Sequence, residues 1–313
     1  MPSVSDHHGE LDTDGVHGGL PIFWRSAPAP DGVDTPPPLY LHGVPTNSDD
    51  WISPRASYRI RPWWKRWWRA RRDTDDWMEL PPYELGFLER SGGLAVDLPG
   101  FGRSGKPGSL QYTIPELADF IERFLDFVEL EQVSLIVHDW GSVGLAFAQR
   151  HPERVARLVI INAVPLLPGY RWHRVARTWR TPLLGELMMG STGRFTLRRA
   201  SAESNSTPGP LPEAWLDTVL DHFDQGTQRA ILRLYRSSPS DVLAAAGAHL
   251  DLLTMPALVV WGTADPYIPA RFGAEYARVL PNAELIELPD AGHVPWLDRP
   301  DVIDRVTEFL AAT

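Results

Sequence analysis

Six short β-rich runs constrain this chain most: PLYLHG (38–43), GLAVDLPG (93–100), VSLIVHD (133–139), RLVIINA (157–163), PALVVWG (256–262) and AELIELP (283–289). A strand with one wet face alternates apolar and polar residues, whereas most of these runs do not alternate. Unbroken apolar runs of this length belong to strands covered on both faces. Helical patterns such as IPELADFIERFLDFVEL (114–130) and SVGLAFAQRHPERV (142–155) lie between them. Strand and helix alternating in this way predict a doubly wound, mostly parallel α/β sheet. The segment before residue 38 is expected to hold an antiparallel hairpin. Residues 164–250 carry helical patterns without a core strand, which predicts a helical cap inserted between core parts 1–163 and 251–313.

Composition narrows the function. The chain has 313 residues, 43% of them hydrophobic, enough for a globular core with a cap. No apolar run approaches the roughly 20 residues needed to span a bilayer. The acidic start MPSVSDHHGELDTDG lacks the apolar centre of a secretory signal. With no cysteine, disulfides and thiolate metal sites are ruled out. A net charge of -10 argues against general nucleic-acid binding. The chain is read as a cytoplasmic enzyme.

One insert, 52–84, breaks the rhythm with RPWWKRWWRARR. On a helix turning about 100° per residue, Trp63, Trp64, Trp67 and Trp68 share a face opposite Lys65, Arg66 and Arg69. The tryptophan face of this 62–72 helix is expected to pack on the protein's own cap or on a second subunit. The alternative is a weak contact with an anionic membrane surface.

The chemistry begins at SLIVHDWGSVG (134–144), an apolar strand running into a sharp turn and a helix, with Asp139 at the apex. A side chain there stands at the sheet's carboxyl edge, where open α/β sheets place their ligands. The turn needs small neighbours; Gly141 supplies one, and Val137 takes the other position. A serine attacking a saturated carbon would leave an ether that water does not readily cleave. A carboxylate leaves an ester, which activated water hydrolyses. Asp139 therefore points to displacement at saturated carbon, on a small apolar substrate carrying a leaving group or a strained ring, with water as second reactant. His293, after the last predicted strand, is the expected base, and Asp265 the acid that orients it. The backbone N–H groups of Val44 and Trp140 are the expected oxyanion donors. No metal or organic cofactor enters this scheme.

HGVP (42–45), DLPGFGRSGKP (97–107), VHDWGS (137–142), GTADP (262–266) and AGH (291–293) together resemble the α/β-hydrolase superfamily, in its epoxide hydrolase and haloalkane dehalogenase branch. The resemblance implies the α/β-hydrolase fold and the nucleophile, acid and base named above. Dehalogenases hold halide between the indole N–H after the nucleophile, here Trp140, and a second donor. That donor is an asparagine after the HG pair in one group, excluded here by Val44, or a cap tryptophan, for which Trp172 and Trp179 are candidates. Epoxide hydrolases use cap tyrosines that protonate the ring oxygen. Tyr235, in ILRLYRSSP, fits the later tyrosine, and Tyr170 is the candidate for the earlier one. Epoxide opening to a vicinal diol is the expected activity, haloalkane dehalogenation the alternative, and a non-catalytic binding scaffold the reading from another class.

Two motifs are set aside. GFGRSG (100–105) matches a dinucleotide fingerprint, but Pro107 and Gly108 stand where its helix should open, so a tight loop is expected. DHHGELDTDGVHG (6–18) gathers histidines and acids and is read as a mobile polar terminus rather than a metal site.

Overall fold

The computed structural model describes residues 3–12, 19–53, 85–206, 209 and 211–312. The Trp/Arg helix expected at 62–72, and nearly all of the insert, lie outside the described residues.

Eight strands form one sheet: β1 (Ser5–Leu11), β2 (Leu20–Ala27), β3 (Pro38–Leu41), β4 (Gly93–Val96), β5 (Val133–Asp139), β6 (Val155–Ala163), β7 (Ala257–Gly262) and β8 (Ala283–Leu288). Their order is β1-β2-β4-β3-β5-β6-β7-β8. The pairs β1/β2 and β2/β4 are antiparallel, and every other pair is parallel. All six apolar runs thus became strands, and the expected hairpin is β1/β2. The chain leaves β3 toward β4 on one side and returns to β5 on the other. That reversal makes a crevice at the carboxyl ends of β3 and β5, the place where such sheets bind ligands.

Helices α1 (Phe87–Ser91), α2 (Ile114–Phe127) and α3 (Val143–Arg150) belong to the first part of the sheet. Between β6 and β7 the chain forms α4 (Arg174–Arg180), α5 (Leu184–Gly190), α6 (Arg194–Ser201), α7 (Glu213–Leu220), α8 (Gln225–Ser237) and α9 (Ser240–Ala246). Helices α10 (Arg271–Val279), α11 (Pro295–Asp298) and α12 (Asp301–Ala311) complete the described fold. Among the described residues no helix is long and apolar enough to cross a membrane.

The missing alternation has the expected cause. Leu135 and Val137 of β5 pack with Leu117, Ile121 and Phe124 of α2. Ile136 points the other way, toward Phe87 of α1 and Val302 and Val306 of α12. The outer strand β8 is less buried, with Glu284 and Glu287 exposed, as suits a sheet edge. Helix α2 starts where Thr113 caps the Glu116 N–H while the Glu116 carboxylate accepts the Thr113 N–H at 3.0 Å, a reciprocal cap whose loss costs about 1 kcal/mol. The helix expected over 142–155 stops at Arg150. Pro152 disfavours helical backbone at His151, which sits at φ −134°, ψ 59°.

The terminus read as mobile is, over Ser5–Leu11, an edge strand. Its ladder to β2 is reinforced by the His7 ring, stacked on Trp24 with centroids 5.1 Å apart, and by its Nε2 against Ser26 Oγ at 2.8 Å. Exposure that alternates from Asp6 to Leu11 suits a strand with one solvated face, and pairing with β2 supplies the backbone partners. The GFGRSG segment is a turn held by Asp97, which accepts from the Ser48 and Arg103 N–H groups at 2.7 Å each.

Candidate active site

The site is built at the crevice between β3 and β5. Asp139 ends β5 with φ 49° and ψ −118°, a strained conformation for a residue with a side chain, worth about 1–3 kcal/mol. The Asp139 carbonyl is held by the Val164 N–H at 2.9 Å, and the chain turns at once into a 3-10 helix (Trp140–Ser142) and α3. Two glycines make the turn fit. A Cβ on Gly141 would lie 2.2 Å from the Leu41 carbonyl oxygen, and one on Gly43 would lie 2.6 Å from Asp139 Cβ. Val137 fits at the larger position because its side chain is fully buried in the core.

The two carboxylate oxygens of Asp139 differ. Oδ1 accepts the Val44 N–H at 2.8 Å, and the Trp140 backbone N–H also hydrogen-bonds the carboxylate. Oδ2 faces His293 Nε2 at 3.6 Å. Oδ1 is therefore held by the Val44 N–H, one of the expected oxyanion donors, while Oδ2 faces His293. Burial pushes the Asp139 pKa up, opposed by the charge of His293 and by the two backbone donors.

His293 follows β8, and its Nδ1 lies 2.8 Å from Asp265 Oδ2, which leaves Nε2 toward Asp139. Its N–H donates to the Ser204 carbonyl at 2.8 Å, and its carbonyl lies 2.9 Å from His138 Nε2. Burial lowers the imidazole pKa, but the charge and hydrogen bond of Asp265 and the charge of Asp139 outweigh it and hold the value at about 9. For Asp265, burial acts upward and is overcome by His293, by Asn162 Nδ2 at 2.8 Å and by the Tyr267 N–H at 2.7 Å, so its pKa lies below the usual range.

The inserted helices bring an aromatic wall. Tyr235 of α8 is buried, its ring 5.2 Å from Trp140, 4.8 Å from Trp172 and 4.9 Å from Trp179. Burial, and then the Asp139 charge, push its phenol pKa well up. The Trp140 indole N–H acts in the opposite sense on that hydroxyl, although it is buried and meets no acceptor at hydrogen-bonding geometry. Tyr170 is buried too, with its hydroxyl 3.4 Å from the Tyr267 carbonyl. Its pKa is raised by burial and by the charges of Asp139 and Asp265.

The structure thus brings together Asp139, His293, Asp265, Val44, Trp140, Tyr235 and Tyr170. The candidate halide donors are placed otherwise. Trp172 stacks on Trp140 at 5.4 Å, but its indole N–H donates to the Ser238 carbonyl at 2.9 Å. A backbone acceptor has claimed that donor, so Trp172 contributes its ring face rather than its N–H. Trp179 meets the site through its ring against Tyr235.

Three residues escaped sequence reasoning. Asn162, at the end of β6 with φ 36°, donates to Asp265 and also exchanges hydrogen bonds with Gly262. Tyr267 sets its ring edge-on to His293 at 5.2 Å. Asp50 is buried, and its pKa rises to about 7. Burial is the main cause; the Thr46 hydroxyl and Trp215 indole oppose it, while the charges of Asp49 and Asp139 add to it. The doubled acid of TNSDDW, directly after the oxyanion segment, is the one signal that would have singled Asp50 out.

Comparison with known proteins agrees with this fold. A family model for the alpha/beta hydrolase fold matches residues 87–300. A haloalkane dehalogenase of Mycolicibacterium paratuberculosis is 28% identical over 308 residues, covering 90% of this chain and 85% of its own. Among solved structures, haloalkane dehalogenase DbeA from Bradyrhizobium elkani superposes with a TM-score of 0.72 at 24% identity, covering 99% of this chain and 98% of its own. The epoxide hydrolase CorEH also gives 0.72, at 20% identity and 99% of both chains.

Proposed function

The chain belongs to the α/β-hydrolase family, and from that premise we propose that it opens epoxides to vicinal diols through an ester on Asp139. The observation that carries this reading is Tyr235, a buried phenol beside the nucleophile. A leaving halide needs only donors, whereas an opening ring oxygen needs a proton. Burial and the Asp139 charge keep Tyr235 neutral and therefore a proton donor.

In this reading Asp139 Oδ2 attacks a ring carbon, and the breaking C–O bond leaves its electron pair on oxygen, which takes the Tyr235 proton. Tyr170 packs on Trp172, as Tyr235 does. The ester no longer carries the Asp139 charge, one of the influences holding His293 protonated. Losing it lowers the imidazole pKa, so the Nε2 proton passes to the Tyr235 phenolate and leaves Nε2 free to accept another. His293 then deprotonates water as it attacks Asp139 Cγ, and the oxyanion forms on Oδ1 at the Val44 and Trp140 N–H groups. Collapse breaks the Cγ–Oδ2 bond, the leaving alkoxide takes the proton of the new Cγ carboxyl to complete the diol, and His293 ends protonated as it began. The balance is epoxide plus water to diol.

The second reading is haloalkane dehalogenation. It is favoured by the buried Trp140 indole N–H without an acceptor and by the activity for which the Mycolicibacterium relative is named.

The test is the intact mass of His293→Gln protein after incubation with styrene oxide and, separately, with 1-bromohexane. Without the base the ester should accumulate, and the epoxide adduct is the expected result. An adduct with the bromide alone would replace this reading by the second. No adduct with either would overturn the covalent scheme.

A further inference from the structure

His293 is held from three sides. Its Nδ1 meets Asp265 Oδ2 at 2.8 Å, and its carbonyl accepts from His138 Nε2 at 2.9 Å. Both partners stand on the sheet: Asp265 follows β7, and His138 precedes Asp139 on β5. The third partner has another origin. The peptide N–H of His293 donates at 2.8 Å to the carbonyl of Ser204, in the inserted segment that follows α6. A backbone carbonyl from outside the sheet therefore shares in placing the base, and its own position has to be secured.

Asp298 supplies the tie. This residue ends α11, and one oxygen of its carboxylate accepts two backbone N–H groups. Oδ2 takes the N–H of Gly292, next to the base, at 2.8 Å and that of Ser206, close behind Ser204, at 3.0 Å. A carboxylate only accepts, so it suits a pair of donors. The two segments it joins also touch directly, since a Cβ on Gly292 would lie 2.2 Å from the Ser204 carbonyl oxygen. Beside them Tyr267, edge-on to the His293 ring, sets its hydroxyl 3.1 Å from Ser204 Oγ. The loop that carries His293 has its own clasp, Arg299 on Asp290 at 2.9 and 3.1 Å. The bond from Asp298 to Ser206 spans 92 residues and is not needed for that local closure. What it adds is a link between the inserted segment and the base.

We propose that Asp298 is a positioning residue for His293: it fastens the inserted segment to the base loop and so holds Nε2 3.6 Å from Asp139 Oδ2. It touches no reacting atom. The proposal rests on the ester scheme above, in its epoxide or its haloalkane form, because both call on His293 after the ester has formed. Ester formation uses Asp139, which is held by Val44 and Val164 rather than by this tie. Releasing the tie therefore slows the second step and spares the first.

The experiment is a single turnover of the full chain with styrene oxide and, separately, with 1-bromohexane, quenched in acid and read as ester by intact mass. In Asp298→Ala the ester should form within about twofold of the wild-type rate and decay about 10- to 100-fold more slowly, as expected for a slightly displaced reacting group. Asp298→Asn keeps an oxygen that accepts both N–H groups, so decay should stay within about threefold of wild type. Ser206→Pro removes one donor and leaves Asp298 in place. It should slow decay by a smaller factor, and it carries the test if Asp298→Ala does not fold. Equal slowing of both steps, or an unchanged decay, overturns the proposal. Ester on the bromide alone rejects the epoxide reading, and the two rates are then read from that compound.

Amide exchange reads the tie without substrate. In Asp298→Ala the N–H groups of Gly292, Ser206 and His293 should lose protection together, by about tenfold or more, although His293 donates to Ser204 and not to Asp298. Protection kept at His293 while the other two lose theirs would confine Asp298 to a local cap and refute the proposal. No ester with either compound would reject the covalent scheme and leave the exchange result to decide whether Asp298 positions His293.

Discussion

Replacing Asp139 by asparagine should lower the pKa of His293, and the size of that fall tests the central electrostatic argument. Asparagine keeps the shape of the side chain and removes its charge. The charge it removes lies 3.6 Å from His293 Nε2. At that separation a unit pair interacts by about 1 kcal/mol in a medium like bulk water and by about 4.6 kcal/mol at an effective dielectric of about 20. At about 1.4 kcal/mol per unit, the fall should be between about 1 and 3 pKa units. The starting value is about 9, with Asp265 the largest of the upward influences, so the variant should titrate nearer the ordinary histidine range. The assay is an NMR titration of the His293 imidazole carbon and nitrogen shifts in both proteins, with His293→Gln to assign the signals. A His293 pKa within a few tenths of a unit of the wild-type value would refute the claim that ester formation readies the base.

Three further predictions follow from the same geometry. Tyr235→Phe should lower kcat for epoxides by about 10²–10⁴-fold, the range for loss of a general acid; steady-state rates with styrene oxide check it, and an unchanged rate would remove Tyr235 from the chemistry. Gly141→Ala should destabilise the fold by about 1–3 kcal/mol, because its Cβ would press on the Leu41 carbonyl at 2.2 Å; thermal melts read the change. Asp50→Asn should raise the melting temperature at pH 8 and have little effect at pH 4. A folded carboxyl at about 7 binds a proton that the unfolded chain, near 3.9, has released, so the native state loses stability as pH rises between those values and asparagine removes that loss.

Asp139 shows why part of the site could be read directly. Its strand is an apolar run, its turn carries a small residue, and a carboxylate at the apex has chemistry that follows from the residue type alone. The order Asp139, Asp265, His293 could be read because each follows a strand whose apolar run announces it. Tyr235 and Tyr170 came through family resemblance, and their packing on Trp140 and Trp172 was not implied by any spacing. The polar N-terminus misled because an edge strand and a solvated tail share a composition; only pairing with β2 distinguishes them.

By itself, then, the sequence determined what is local. Unbroken apolar runs mean burial on both faces, so the strands, the sheet class and the place of Asp139 at a sheet edge were all legible. Only the tertiary structure decided which side chains meet. Asn162 reaches Asp265 across 103 residues. Trp172 gives its N–H to a backbone carbonyl, and Trp215 comes down from α7 onto Asp50. Hydrogen bonds and Coulomb forces act through space over a few ångströms, and which distant residues come that close is set by how the helices inserted between β6 and β7 pack over the sheet. No periodicity in the chain records that.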